Sequence, residues 1–200
     1  MGTRTITKTT QLYVGDTQEP LAVRVKKFGN AVDLEAVDAV KFRMLKNDGT
    51  EGEPDYNATP KIALTDSNIT VQPTRGFIAN ATTDYLYSVG HGVRNGDEIE
   101  VQEGTTLPGG LAENTRYIAT NCDPNYFQLA DRTTSEAIDI SSAGTSDNTF
   151  KIIGHFLYQW QSADVNTAGL YGAWVVTEDS SKVDTYPNDD YGIMIIMVTA

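Results

Sequence analysis

Thr167-Ala168-Gly169-Leu170-Tyr171-Gly172-Ala173-Trp174 is the stretch on which the fold turns. A small residue and a tyrosine at alternate positions, where an apolar strand begins, have the spacing of the tyrosine corner of immunoglobulin-type sandwiches. There the tyrosine hydroxyl bonds back to the backbone upstream. An antibody domain carries Cys two residues after that tyrosine; here the position is Ala173, followed by Trp174. The chain has a single cysteine, Cys122, so no internal disulfide can pin two sheets together. A sandwich built on this stretch must rest on packing. The side chains predicted to supply it are Tyr171, Trp174, Trp160, Phe156 and Phe42, aromatics of a kind that bury on the order of 150–250 Å² each.

Outward from that stretch the grammar is of strands. Ile152–Gln161 sets Phe156, Tyr158 and Trp160 against His155, Leu157 and Gln159, a period of two. Gly169–Glu178 forms the next predicted strand. Tyr191–Thr199 is almost wholly apolar, as a strand covered on both faces would be. Near the N-terminus, Leu21, Val23 and Val25 alternate with Ala22, Arg24 and Lys26. Phe28-Gly29-Asn30 reads as a turn, Val40–Lys46 as a strand, Thr50–Pro60 as a loop and Lys61–Thr65 as a short strand. No stretch reads as a convincing amphipathic helix.

The middle differs in character. Residues 66–151 hold 5 basic and 12 acidic side chains, and so carry −7 of the net −12. Strands are predicted at Tyr85–Val89, Glu98–Glu103, Arg116–Asn121, Tyr126–Ala130 and Ala137–Ile140, each bounded by polar turns. Such short strands suit a small barrel or sandwich. The sequence therefore predicts an all-β chain. An immunoglobulin-like β-sandwich, residues 1–64 and 152–200 with an N-terminal arm or edge strand over about 1–12, is interrupted by a small inserted β-barrel or sandwich domain at 66–151.

The outer segments resemble the immunoglobulin-like N-terminal domain of tailed-phage baseplate upper proteins. The resemblance lies in the order of Val14-Gly15-Asp16-Thr17, Leu21–Lys26, Val32-Asp33-Leu34, Val40–Met44, Tyr158-Gln159-Trp160, Asp164–Tyr171 and Thr185-Tyr186-Pro187-Asn188-Asp189. The middle resembles a small β-domain recurring in phage tail and fibre proteins. Its marks are His91–Asp97, Leu107–Leu111, Thr115-Arg116-Tyr117, Asn125–Leu129 and Ser142–Thr145. Both resemblances imply a structural virion protein, made in the host cytoplasm without a signal peptide. Members of the baseplate family continue into a helical arm that carries receptor-binding proteins, whereas this chain stops at Ala200. Tail, baseplate, connector and decoration roles are therefore all open.

The remaining chemistry points the same way. A net charge of −12 with scattered cations argues against nucleic acid as a partner. The longest apolar run, Ile193–Val198, falls far short of the ~20 residues of a membrane span. His91 and His155 read as structural histidines, since no motif offers a nucleophile with an orienting acid. Cys122 reads as a small structural residue whose acidic neighbours raise its pKa. Asp97-Glu98-x-Glu100-x-x-Glu103 reads as a solvated strand face, too poor in oxygens for calcium. No catalytic residue, cofactor or metal is expected, and the chain is not expected to be an enzyme. Its expected partners are other virion proteins and copies of itself, in a symmetric oligomer. The arm is available for strand addition to a neighbour, and the expected assembly contacts are Arg4, Ile6, Lys8, Arg24, Lys26 and Lys27, whose cations would meet acidic faces of neighbours. The alternative is a carbohydrate-binding module using exposed tyrosines of the insert, with Tyr85, Tyr87, Tyr117 and Tyr126 as candidates.

Overall fold

Period-two alternation becomes strand almost wherever the chain is described. The computed structural model describes residues 5–13, 17, 19–27, 29–47, 66–164, 168–180, 182–186 and 192–199. For 5–13, 45–47, 66, 169–170, 185 and 192–199 the description is of backbone alone. In chain order the strands are β1 (Thr5–Tyr13), β2 (Leu21–Arg24), β3 (Lys26–Lys27), β4 (Asn30–Ala31), β5 (Ala39–Asn47), β6 (Ile69–Val71), β7 (Arg75–Gly76), β8 (Ile78–Asn80) and β9 (Tyr85–Tyr87). They continue as β10 (Glu98–Gln102), β11 (Arg116–Thr120), β12 (Tyr126–Asp131), β13 (Thr149–Ile152), β14 (His155–Tyr158), β15 (Gly169–Asp179), β16 (Lys182–Tyr186) and β17 (Gly192–Thr199). The predicted loop at Thr50–Pro60 and strand at Lys61–Thr65 lie outside the described residues. Contacts divide the chain into an outer unit, Met1–Val71 with His155–Ala200, and an inner unit, Gln72–Gly154.

The outer unit is a β-sandwich. In one sheet β14 lies between β2 and β6, both antiparallel to it. In the other, β15 is flanked by β5 on one edge. Its opposite edge pairs with β17 over its first half and with β16 over its second. Lettered in chain order, β2, β5, β6, β14, β15 and β17 are strands B to G. The sheets are then B-E-D and C-F-G, the strand order of an immunoglobulin-type sandwich. One core joins them, with Val23, Phe156 and Tyr158 from the first sheet and Phe42, Met44, Tyr171 and Val175 from the second. Phe42 is the hub, its ring 6.1 Å from Phe156, 5.3 Å from Tyr158 and 6.2 Å from Trp160.

Tyr171, Trp160, Phe156 and Phe42 thus sit in the predicted core. Trp174 needs correction. It is buried, but Tyr171, Ala173 and Val175 are the β15 residues that enter the core. The pleat therefore sends Trp174 to the other face of the sheet, opposite Arg43 in register. Burial pushes the Tyr171 phenol above its ordinary range. Thr167, which opens the corner motif, lies outside the described residues. Asp164, the first residue of the Asp164–Tyr171 piece, is a buried carboxylate that accepts the Tyr158 hydroxyl at 2.7 Å and the Gln161 N–H at 2.9 Å.

Two boundaries differ from the sequence reading. Ile69–Val71, expected in the insert, pairs with β14 and belongs to the sandwich. The single strand expected over Ile152–Gln161 is broken between β13 and β14. There Gly154 takes φ +73°, a left-handed conformation that favours glycine. Its N–H donates to Gln72 Oε1 at 2.9 Å, which ties together the two ends of the inner unit. Of the two readings of the N-terminus, arm or edge strand, the backbone takes the second among the described residues. β1 runs parallel to β17, from Thr5↔Gly192 to Tyr13↔Thr199.

The inner unit is one antiparallel, seven-stranded sheet in the order β7-β13-β10-β11-β12-β9-β8. Its own core includes Phe77, Leu86, Ile99, Tyr117, Phe127 and Phe150. The strand expected at Ala137–Ile140 is reduced to a bridge, Ala130↔Ala137.

Candidate functional site

The outer face of the inner sheet, at its β8 edge, carries a group of exposed aromatic and apolar side chains. On β9 alternation turns Leu86 wholly inward and leaves Tyr87 38% exposed. On β12 it buries Phe127 and leaves Tyr126 43% exposed. Register then aligns Ile78, Tyr87 and Tyr126 in a row across three strands. Tyr85 stands beside the row, its ring edge-on to Tyr126 at 6.2 Å, while Tyr87 and Tyr126 are 4.9 Å apart and tilted by 44°. These rings wall a cleft of about 660 Å³, completed by Asn80 and Asp123 among others.

Turn chemistry holds its polar members. Asn80 Oδ1 accepts the Thr82 N–H at 2.8 Å and closes the β8–β9 hairpin. Asp84 follows at φ +58° and accepts the Ile140 N–H. Asp123 Oδ1 accepts the N–H groups of Asn125 and Tyr126, both at 2.7 Å. Of the four candidate tyrosines, Tyr87 and Tyr126 are exposed, Tyr85 is half-buried, and Tyr117 is turned inward. It lies 4% exposed in the core, and its hydroxyl accepts the Ala112 N–H at 2.8 Å. Ile78, Asn80 and Asp123 were not singled out from sequence as members of a site. The available signal was the polar turn between Ile78 and Tyr85.

No protein-family model matches this chain, and no curated protein does either.

The acidic run overturns its sequence reading. Asp97, Glu98 and Glu100 are buried, not solvated. β10 is an interior strand, and its neighbours set cations opposite its carboxylates. Arg116 on β11 and Lys151 on β13 are both register partners of Glu100. Lys151 Nζ lies 2.8 Å and Arg116 Nε 3.6 Å from the Glu100 carboxylate, and Arg132 lies 3.4 Å from Glu98. Asp97 accepts the Arg94 N–H at 2.9 Å.

Of the residues proposed for assembly contacts, Lys27 is engaged within the chain, 2.8 Å from Asp184. That pair raises the ammonium pKa and lowers the carboxyl pKa. Lys26 is exposed and Arg24 half-buried. Arg4, and the side chains of Ile6 and Lys8, lie outside the described residues. Cys122 has its thiol pushed up to about 11 by burial, with Asp97 and Asp123 adding to the effect, which disfavours the thiolate at neutral pH. His155 is buried on β14 opposite Arg24.

His91 is buried against Phe127, ring centroids 4.9 Å apart, and its Nδ1 accepts the Val93 N–H at 2.8 Å. Burial lowers its pKa, against an opposing pull from the Tyr126 and Asp123 carbonyls. Between the native value and about 6.5 the unfolded chain binds the extra proton, so this group contributes stability that falls as pH falls through that window. Calorimetry at pH 7.5 and 5 should find the inner unit less stable at the lower pH. In His91→Asn, whose Oδ1 can still accept the Val93 N–H, that difference should shrink; an unchanged difference would assign it to other groups.

Proposed function

We propose that this chain is a non-enzymatic structural protein of a tailed-phage particle. In this reading it works by assembly with other virion proteins and with copies of itself. The sandwich serves as scaffold, and the inner unit is the module it displays. The observation that carries the reading is the way the chain enters and leaves the inner unit. It departs after β6 and returns at β14, which are paired neighbours in one sheet, Val71 opposite Phe156. The junction is closed by the Gln72–Gly154 bond, and the inner unit has its own core and ladder. An insertion at such a point leaves a host fold intact and free to dock elsewhere. The ordered sequence resemblance to phage tail domains supports the same reading. For docking, β1 ends its sheet among the described residues and is the edge offered to an incoming strand.

Mass spectrometry of purified head and tail fractions tests this. The protein is expected in one fraction at a fixed copy number relative to known structural components, and recombinant full-length chain should co-sediment with particles lacking it. Recovery only from the soluble lysate would overturn the reading.

A further inference from the structure

We propose that the cleft walled by Tyr85, Tyr87 and Tyr126 is a binding site for a neutral saccharide. The inference rests on the inner unit alone and does not depend on the virion reading.

Exposed aromatics grouped in one concave patch mark a ligand site more often than a random surface. Here Ile78 is 53%, Tyr87 38% and Tyr126 43% exposed in a single row. Hydroxyl chemistry narrows the ligand. Tyrosines with structural roles in this chain use their hydroxyls internally, as Tyr117 does with Ala112 and Tyr158 with Asp164. The hydroxyls of Tyr85, Tyr87 and Tyr126 have no such partner among the described residues. They stand as donors and acceptors around apolar ring faces. A sugar presents the complement, C–H faces rimmed by hydroxyls.

Two polar residues of the cleft, Asp123 and Asn80, extend the match. Asp123 spends Oδ1 on two backbone N–H groups, leaving Oδ2 to accept from a ligand hydroxyl. Asn80 spends Oδ1 on its turn, leaving Nδ2 to donate. Both are pre-oriented by those bonds, so little side-chain entropy is lost on binding.

Charge and shape complete the choice. Among the described residues Asp123 is the charged side chain lining the cleft, and no cation lines it. An acidic sugar, a phosphate or a nucleic acid would meet repulsion there, whereas a neutral sugar would not. The rings are tilted by 44° and 87° to one another and form no flat platform. A cleft of about 660 Å³ with angled walls suits the end of a short soluble oligosaccharide.

The test is an array of neutral and acidic oligosaccharides probed with the full chain, with proline-rich peptides as competitors, followed by calorimetric titration. Binding to a neutral glycan is expected, with Kd between about 10 µM and 1 mM. Tyr87→Ala and Tyr126→Ala should each weaken it about tenfold or more. Asp123→Asn and Tyr126→Phe, which keep shape and ring, should weaken it less while melting like the parent. They carry the test if an alanine variant fails to fold. No neutral glycan bound, preference for acidic glycans, displacement by a peptide, or binding indifferent to all four changes would each overturn the proposal. A chain absent from particles that still binds sugar keeps this inference and loses the virion reading; the converse loses only this one.

Discussion

Phe42→Ala is expected to cost the outer sandwich about 3–5 kcal/mol, the range for deleting a buried aromatic ring. Phe42 is fully buried and touches Phe156, Tyr158 and Trp160, so its loss leaves a cavity between both sheets. No internal disulfide is there to hold them, since Cys122 is the chain's one cysteine. Domains of this size have about 5–15 kcal/mol in total, so the variant should unfold at a much lower denaturant midpoint. The two tryptophans, Trp160 and Trp174, both belong to the outer unit, which makes intrinsic tryptophan fluorescence a reporter of that unit. Phe42→Ala should shift the fluorescence transition strongly. Phe127→Ala, a deletion in the inner core, should leave it nearly in place while lowering a second transition seen by calorimetry. If both substitutions move one shared transition equally, the two units unfold as one.

The sandwich was legible because its pattern is local and strict. Phe156, Tyr158 and Trp160 announce their shared face by spacing alone, and all three are buried as that spacing requires. Trp174 shows where such reading fails. Hydrophobicity marks a residue as buried but does not say on which side of a sheet; Trp174 stands three positions after Tyr171 on one strand, so the pleat puts the two on opposite faces. Strands as short as β7 and β8 give no period to read. The pairing of β7 is decided by a partner distant in sequence, as Phe150 is for Arg75. The cleft was half legible. Alternation distinguishes Tyr126 from Phe127, yet Tyr117 and Tyr87 look alike until it is known which one faces the core. The acidic run was misread for a related reason. Charge in sequence looks like solvent exposure, and the cations opposite Glu100 come from residues 116 and 151, which no local window contains.

That network makes Lys151→Met the sharpest electrostatic change available, expected to destabilise the inner unit by about 3–5 kcal/mol. The side chains of Lys151 and Glu100 are only 10% and 11% exposed, and their charged atoms lie 2.8 Å apart. Removing the ammonium leaves a carboxylate held in the sheet with Arg116, at 3.6 Å, as its remaining cation. The loss comes chiefly from that stranded charge, not from the attraction itself. The double change Glu100→Leu with Lys151→Met should therefore recover most of the stability, since paired apolar side chains of similar volume replace a buried ion pair at little or no net cost. Arg116→Met should cost less, about 1 kcal/mol or below, because its side chain is 29% exposed and its contact is longer. Screening separates the two cations further: added salt should leave the Lys151 effect largely intact and erode that of Arg116. Calorimetry of the three variants and their parent at low and high salt decides the matter. A Lys151→Met protein as stable as its parent would mean that water reaches the Glu100 carboxylate in solution, and that the strand face behaves as its sequence first implied.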